Sequence, residues 1–192
     1  MSTFSALTVF KSLSKSIAQQ HGRQLSETRE QQSLAAGFSS YHELQSVGQR
    51  YPDDARLLRA AFGVEKFADV VFLPEVSKEL AEQITQRAHL DDLAPKAPDI
   101  RFVMDNLLVE SRYDAEKGVL IACGEADLTC IEQYRYGQGF HWFSAPLDFE
   151  VKFRKQCWQL VSSSISMRLE VNDEEGFIEE SIDDYPPTEF WD

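Results

Sequence analysis

The residues whose types and spacing come closest to a catalytic pattern lie in the segment Asp148-Phe149-Glu150-Val151-Lys152. Glu150 and Lys152 are two positions apart, so on a β-strand their side chains point to the same face. Carboxylates that share a face can hold a divalent cation for metal-assisted chemistry. Asp148, Glu150 and Lys152 are therefore the candidate catalytic residues if the chain is an enzyme.

With an upstream acid, this pattern resembles the acidic-x-Lys site of restriction-type nucleases, which implies a metal-dependent nuclease. The candidate upstream acids are Asp105, Glu110 and Asp127, but the spacing fixes none of them. Short acid-x-Lys matches are common, and a solvated strand face with alternating charges is the preferred interpretation of the segment. The nuclease is therefore an alternative hypothesis, and the main expectation is a protein without catalytic residues.

No other set of residues indicates catalysis or metal binding. The four histidines are scattered along the chain, with no pair at i, i+4 spacing: His21, His42, His89 and His141. The glycine motifs of phosphate and dinucleotide sites and the G-x-S-x-G motif do not occur. The odd count of cysteines argues against a disulfide framework and predicts small buried side chains in a reducing compartment: Cys123, Cys130 and Cys157. We expect neither a metal nor a cofactor.

A helix–glycine–helix pattern lies in the segment 34–44, LAAGFSSYHEL. Over about residues 25–45 it resembles a short module of plasmid- and phage-associated bacterial proteins of undefined function, and also a trimmed helix-turn-helix. A helix-turn-helix would present polar side chains of its second helix to DNA, and these are Ser40, His42, Gln45 and Gln49. Because that helix has no Lys or Arg before Arg50, phosphate contacts would be few, and an ordinary helical corner is the preferred interpretation.

The C-terminal tail, residues 173–192, is the most unusual part of the sequence. Residues 170–192 contain no Lys or Arg and carry −10 of the formal net charge of −13. Large apolar side chains are interleaved with these acids, a pattern suited to docking on a basic and partly apolar groove. The predicted partner-binding residues are Phe177, Glu179, Glu180, Asp183, Asp184, Tyr185, Phe190 and Trp191. The groove would belong to another protein or to this chain's own helical region.

The elements that must position these residues change in type near residue 97. Residues 1–97 are predicted to be helical, with apolar residues every three or four positions, Ser26 and Ser40 as helix caps and Pro74 opening the last helix. Residues 98–172 are predicted to form an antiparallel β-rich region, because strand-type alternation recurs there, with a short helix over 126–136. The fold class is α+β, followed by the acidic-aromatic tail.

These observations predict a cytoplasmic protein of bacterial or phage type, because the apolar runs are too short to cross a bilayer and no secretory signal is visible. The main functional hypothesis is a non-enzymatic regulator or inhibitor that binds a basic partner protein. A nucleic-acid enzyme or a toxin would suit the acidic charge. The nuclease and a DNA-binding transcriptional regulator are the alternatives, although direct nucleic-acid binding is not expected for so acidic a chain.

Overall fold

A computed structural model describes residues 3–90, 100–134, 137–168 and 170–179. The predicted α+β class is confirmed: helices come first, and an antiparallel sheet follows. The α-helices are α1 (Ala6–His21), α2 (Leu25–Ala35), α3 (Tyr41–Arg50), α4 (Ala55–Phe62) and α5 (Pro74–Leu90). A short 3-10 helix, Phe67–Phe72, precedes α5. The predicted linker over residues 91–98 lies outside the described residues.

The helix boundaries follow from capping side chains. Ser5 accepts a hydrogen bond from the backbone N–H of Thr8 at the start of α1, and Ser40 accepts one from Glu43 at the start of α3. Asp54 accepts from the N–H groups of Arg56 and Leu57 at the start of α4. Each of these bonds satisfies a backbone donor that has no partner within its helix.

The sheet contains the strands β1 (Ile100–Asp114), β2 (Val119–Tyr134), β3 (Gly137–Arg154), β4 (Cys157–Leu160), β5 (Ser166–Met167) and β6 (Glu170–Glu179). The strand order is β1-β2-β3-β4, and β5 and β6 also pair with β3. β4 is antiparallel to β3, with Val151 opposite Leu160 and Arg154 opposite Cys157. β6 is also antiparallel to β3, with an irregularity in register between His141 and Phe143.

Several local predictions are wrong. Residues 126–134 continue strand β2 and do not form a helix, because pairing with neighbouring strands satisfies their backbone groups. Ser26 lies inside α2, whose N-cap is Gln24, because the chain re-enters helical geometry soon after the left-handed Gly22. Cys123 and Cys157 are exposed, and of the three cysteines only Cys130 is buried as expected.

The chain forms two compact units. Unit 1 comprises Met1–Gln83, Val109–Gly124 and Leu147–Ser166. Unit 2 comprises Ile84–Leu108, Glu125–Pro146 and Met167–Asp192. In the part of the chain that the structure describes, no helix is long and apolar enough to cross a membrane.

An aromatic cluster forms the part of the unit 1 core at which helices meet the sheet. Its members are Phe62, Phe67, Tyr113, Phe153 and Trp158, whose neighbouring ring centroids lie 4.1–6.5 Å apart. The indole N–H of Trp158 donates to the carbonyl oxygen of Phe62 at 3.3 Å, so its only polar atom is satisfied inside the core. Burial raises the pKa of the Tyr113 hydroxyl, which donates to the carbonyl oxygen of Phe4.

Candidate partner-binding face

Strand β2 presents carboxylates to solvent through its regular alternation. Ala126, Leu128 and Cys130 are buried, with at most 1% of each exposed. Glu125 and Asp127 alternate with them and are exposed. Because successive side chains of a strand point to opposite faces, one face of this part of unit 2 is packed and the other carries the acids.

Hydrogen bonds from neighbouring strands hold these acids in place. The side-chain N–H of Asn106 on β1 donates to Oδ2 of Asp127 at 3.2 Å. The hydroxyl of Ser144 on β3 lies within hydrogen-bonding distance of Glu125 and can donate to its carboxylate. The hydroxyl of Thr129 donates in the same way to the carboxylate of Asp105 on β1. Each carboxylate has several acceptor positions, so one such bond orients it and leaves acceptors for another molecule.

No described Lys or Arg neutralises these acids. Asp105, Glu125 and Asp127 make no ion pair with any residue whose side chain the structure describes. The ion pairs that are described join residues within unit 1, as in Glu43–Arg56 and Glu150–Lys152. We call the surface formed by Asp105, Glu125 and Asp127, together with Leu108 and Trp142, the acidic sheet face.

The two apolar members of the acidic sheet face are exposed although they are large. Leu108 is 66% exposed and lies two positions from Asn106, which contacts Asp127. Asp105 meets the same face of β2 through Thr129, so the alternation of β1 is interrupted between residues 105 and 106. Trp142 is 37% exposed and lies next to the buried Phe143, so it points to the same side of β3 as Ser144. Acids with large apolar side chains among them form a surface that suits binding to another molecule.

The three candidate catalytic residues lie in unit 1, in the second half of β3. Glu150 and Lys152 share a face as expected, but they form an ion pair with each other, with Nζ and Oε2 3.7 Å apart. Asp148 is exposed. Among the residues that the structure describes, no three His, Cys, Asp or Glu side chains come close enough to hold a metal ion.

The polar residues proposed for DNA contact lie at the start and along the surface of α3. His42 and Gln49 are exposed, and Gln45 is partly exposed, whereas the hydroxyl of Ser40 serves as the cap of α3. Glu43 accepts bonds from the backbone N–H and the hydroxyl of Ser39, which lower the pKa of its carboxyl. Arg56 pairs with this carboxylate at 3.6 Å, so the first turn of α3 offers no free cation to a phosphate backbone.

Tail residues predicted to bind a partner lie mostly outside the described residues. Phe177 and Glu179 belong to β6, so residues 173–179 are part of the sheet. Glu180, Asp183, Asp184, Tyr185, Phe190 and Trp191 lie beyond the described part of the chain. The role predicted for the tail remains a prediction.

Sequence reasoning missed Glu125, and it named Asp105 and Asp127 only as possible metal ligands. A signal was present, because Ala126, Leu128 and Cys130 alternate with the polar residues Glu125, Asp127 and Thr129. That alternation extends the strand through residue 130 and places residues 125 and 127 outward.

No protein-family model, curated protein or solved structure matches the chain.

Proposed function

We propose that this protein binds a partner protein with a basic surface and regulates or inhibits it, and that the acidic sheet face provides the contact. The observation that carries the proposal is the set of outward carboxylates of Asp105, Glu125 and Asp127, which no described cation neutralises. Side chains of adjacent strands orient these carboxylates before any partner arrives. Orientation in advance lowers the entropic cost of binding.

Charge complementarity supports a basic partner. Outward carboxylates on a chain with a net charge of −13 attract lysine and arginine and repel acidic surfaces. Such fields accelerate encounter with a basic protein and select against other partners. Nucleic acid is disfavoured as the ligand, because its phosphates have the same sign of charge as this face.

The apolar members of the face supply the second part of a protein interface. Leu108 and Trp142 expose large hydrophobic surface beside the acids. In protein complexes, a few aromatic and apolar anchors contribute most of the affinity, while surrounding charges set orientation and association rate. A basic partner with an apolar patch among its lysines or arginines matches both features.

Regulation or inhibition is the consequence we propose for this contact. A basic surface on a nucleic-acid enzyme or a toxin is commonly the surface that meets phosphates. Carboxylates seated on such a surface would block it by occupying the same cationic groups. The acidic tail, with Glu180, Asp183 and Asp184, would add to this effect in the full chain.

The experiment compares two variants with the same change in charge. The face variant is Asp105→Asn, Glu125→Gln and Asp127→Asn. The control variant is Asp53→Asn, Glu75→Gln and Glu116→Gln, three exposed acids of unit 1. Each full-length protein is used to capture partners from the host organism, and the captured protein is identified, purified and titrated calorimetrically at about 50 and about 300 mM salt.

We expect a basic partner whose affinity falls at least about 10-fold for the face variant and at high salt, and changes little for the control variant. Equal binding by the face variant and the natural sequence would refute the role of this face. A third variant, Glu180→Gln with Asp183→Asn and Asp184→Asn, measures the contribution of the tail. If the partner is an enzyme, its activity is measured with each variant and should be inhibited in proportion to binding.

A further inference from the structure

A cavity of about 290 Å³ opens between α1, α2 and α4 in unit 1. Its apolar lining consists of Phe10, which is 1% exposed, and the small residues Ala35, Ala36 and Ala60. Because each alanine ends at Cβ, the three helices leave space that larger side chains would fill. The volume lies near the lower end of the range for small-molecule sites, which runs from about 300 to 1,000 Å³.

The polar lining of the cavity is cationic and amide in character. Arg56, Arg59 and Gln32 line it, and no carboxylate does. Apolar walls with a few converging polar groups are the usual composition of a site for a small organic ligand. The chemistry of the ligand depends on which of these polar groups can still bind.

Arg56 is fully engaged by its own protein. Its guanidinium lies 4.2 Å from the centre of the Phe38 ring and donates to both carboxylate oxygens of Asp54, each at 3.2 Å. It also donates to the carbonyl oxygen of Gly37 at 3.2 Å. These contacts hold the Arg56 side chain in place at the edge of the cavity, and its charge is already compensated.

Arg59 is the cation that can change partners. Its described ion pair is with Glu65, formed through one terminal nitrogen, and the two side chains are 58% and 57% exposed. Exposed pairs of this kind contribute little to stability. A carboxylate bound in the cavity can therefore replace Glu65, or share the guanidinium with it, at small cost.

Gln32 provides an anchored neutral group. Its side-chain amide lies 2.5 Å from the hydroxyl of Ser14, a residue with no exposed surface. One end of the amide is held by this contact, whichever amide atom faces the serine, and the other end remains available to a ligand.

We infer that this cavity binds a small organic monocarboxylate, with the carboxylate at Arg59 and the apolar body against Phe10 and the three alanines. A dianion is disfavoured, because Arg56 is compensated and only one guanidinium remains to pair with it. A neutral ligand of the same shape would lose the charge-assisted hydrogen bond, which is about twice as strong as a neutral one. The inference is independent of the acidic sheet face.

Benzoate is the probe, and benzamide is its neutral counterpart of similar shape. Both are titrated into the ¹⁵N-labelled full-length protein, and amide chemical shifts are followed. We expect benzoate to shift the amides of Ala35, Ala36 and Ala60 with a dissociation constant on the order of 1 mM, as suits so small a ligand. Benzamide should bind at least about 5-fold more weakly.

Three substitutions test whether Arg59 is the group that binds the carboxylate of benzoate. Arg59→Gln should weaken benzoate binding at least about 5-fold, and Glu65→Gln should strengthen it about 2- to 3-fold by releasing Arg59. Arg23→Gln removes another exposed arginine of unit 1, which bonds to Gln31 and not to the cavity, and should leave binding unchanged. Absence of shifts at about 20 mM benzoate, equal weakening by Arg23→Gln, or weaker binding by Glu65→Gln would each overturn the proposal.

Discussion

Asp54 shows how a single side chain organises a helix start. Its carboxylate accepts from two backbone N–H groups of α4 and from the guanidinium of Arg56. The hydrogen bond from Arg56, followed by those from the backbone, holds the pKa of this carboxyl below its usual value of 3.8. Asp53, one residue earlier, is exposed and has no such contacts among the described residues.

Asp54→Ala should lower the free energy of unfolding by about 1 kcal/mol at pH 7, as expected for a lost N-cap. Since the folded pKa is depressed, this stabilisation is fully present above the unfolded value near 3.8 and is lost as pH falls through the folded pKa. The difference between Asp54→Ala and the natural protein should therefore shrink below pH 4. Urea unfolding at several pH values measures it, and Asp53→Ala is the control, for which a similar loss would contradict the assignment.

Gly118 combines a left-handed backbone with a close contact. Its φ is +66°, and an added Cβ would lie 2.6 Å from Cγ of Phe4. Gly63 has a φ of +76° with nothing within 4 Å of such a Cβ. The two glycines therefore separate the cost of backbone conformation from the cost of a clash.

Gly63→Ala should destabilise by about 1–2 kcal/mol, the cost of a left-handed L-residue. Gly118→Ala should cost more than Gly63→Ala, because the Phe4 ring must also move. Chemical denaturation of both variants gives the comparison, and adding Phe4→Ala to each isolates the clash. The extra destabilisation of Gly118→Ala over Gly63→Ala should vanish when residue 4 is alanine. If it persists there, its cause is not the Phe4 ring.

At the scale of elements, the turn of the β3–β4 hairpin has a backbone conformation that its residues do not favour. Arg154 pairs with Cys157, so Lys155 and Gln156 form a two-residue connection. Both have positive φ, 50° and 67°, as in a type I′ turn, for which Asn-Gly is the preferred sequence.

Replacing Lys155-Gln156 by Asn-Gly should raise the free energy of unfolding by about 1–2 kcal/mol, because two unfavourable left-handed conformations are relieved. Gln156→Val is the opposite change and should destabilise, since branching at Cβ makes positive φ costly. Thermal and urea unfolding of both variants test the turn. Stabilisation by Val, or none by Asn-Gly, would argue against this geometry.

Local sequence patterns predict some of these elements and not others. The Ser40 cap, the Asp114–Gly118 hairpin and the alternation of β3 were predictable, because each depends on residues close in sequence. Residues 126–134 carry two conflicting patterns, since Leu128 and Ile131 have helical spacing while residues 125–130 alternate, and pairing with distant strands decides between them. The same pairing brings Asn106 to Asp127 and Ser144 to Glu125, so the acidic sheet face could not be assembled from local patterns.

On the scale of the whole molecule, two electrostatic effects oppose each other. Repulsion among like charges, from a formal net charge of −13, destabilises the fold, and exposed ion pairs stabilise it. The described pairs, such as Lys78–Glu82 and Lys117–Asp114, involve exposed lysines and contribute little to stability. Net charge far from zero destabilises the folded state by self-repulsion. Salt screens both effects, so its influence on stability reveals which of the two dominates.

We expect self-repulsion to dominate at pH 7, so the thermal midpoint should rise as salt increases from about 10 to about 200 mM, where the screening length falls from about 30 Å to below 10 Å. Near the isoelectric point of about 4.7, net repulsion is absent and the rise should disappear. Circular dichroism at both pH values makes the measurement on the full-length chain. A midpoint that falls with salt at pH 7 would mean that the ion pairs outweigh the repulsion. Neutralising Asp105, Glu125 and Asp127 removes three uncompensated negative charges, so it should raise the midpoint at low salt and reduce the salt-induced rise.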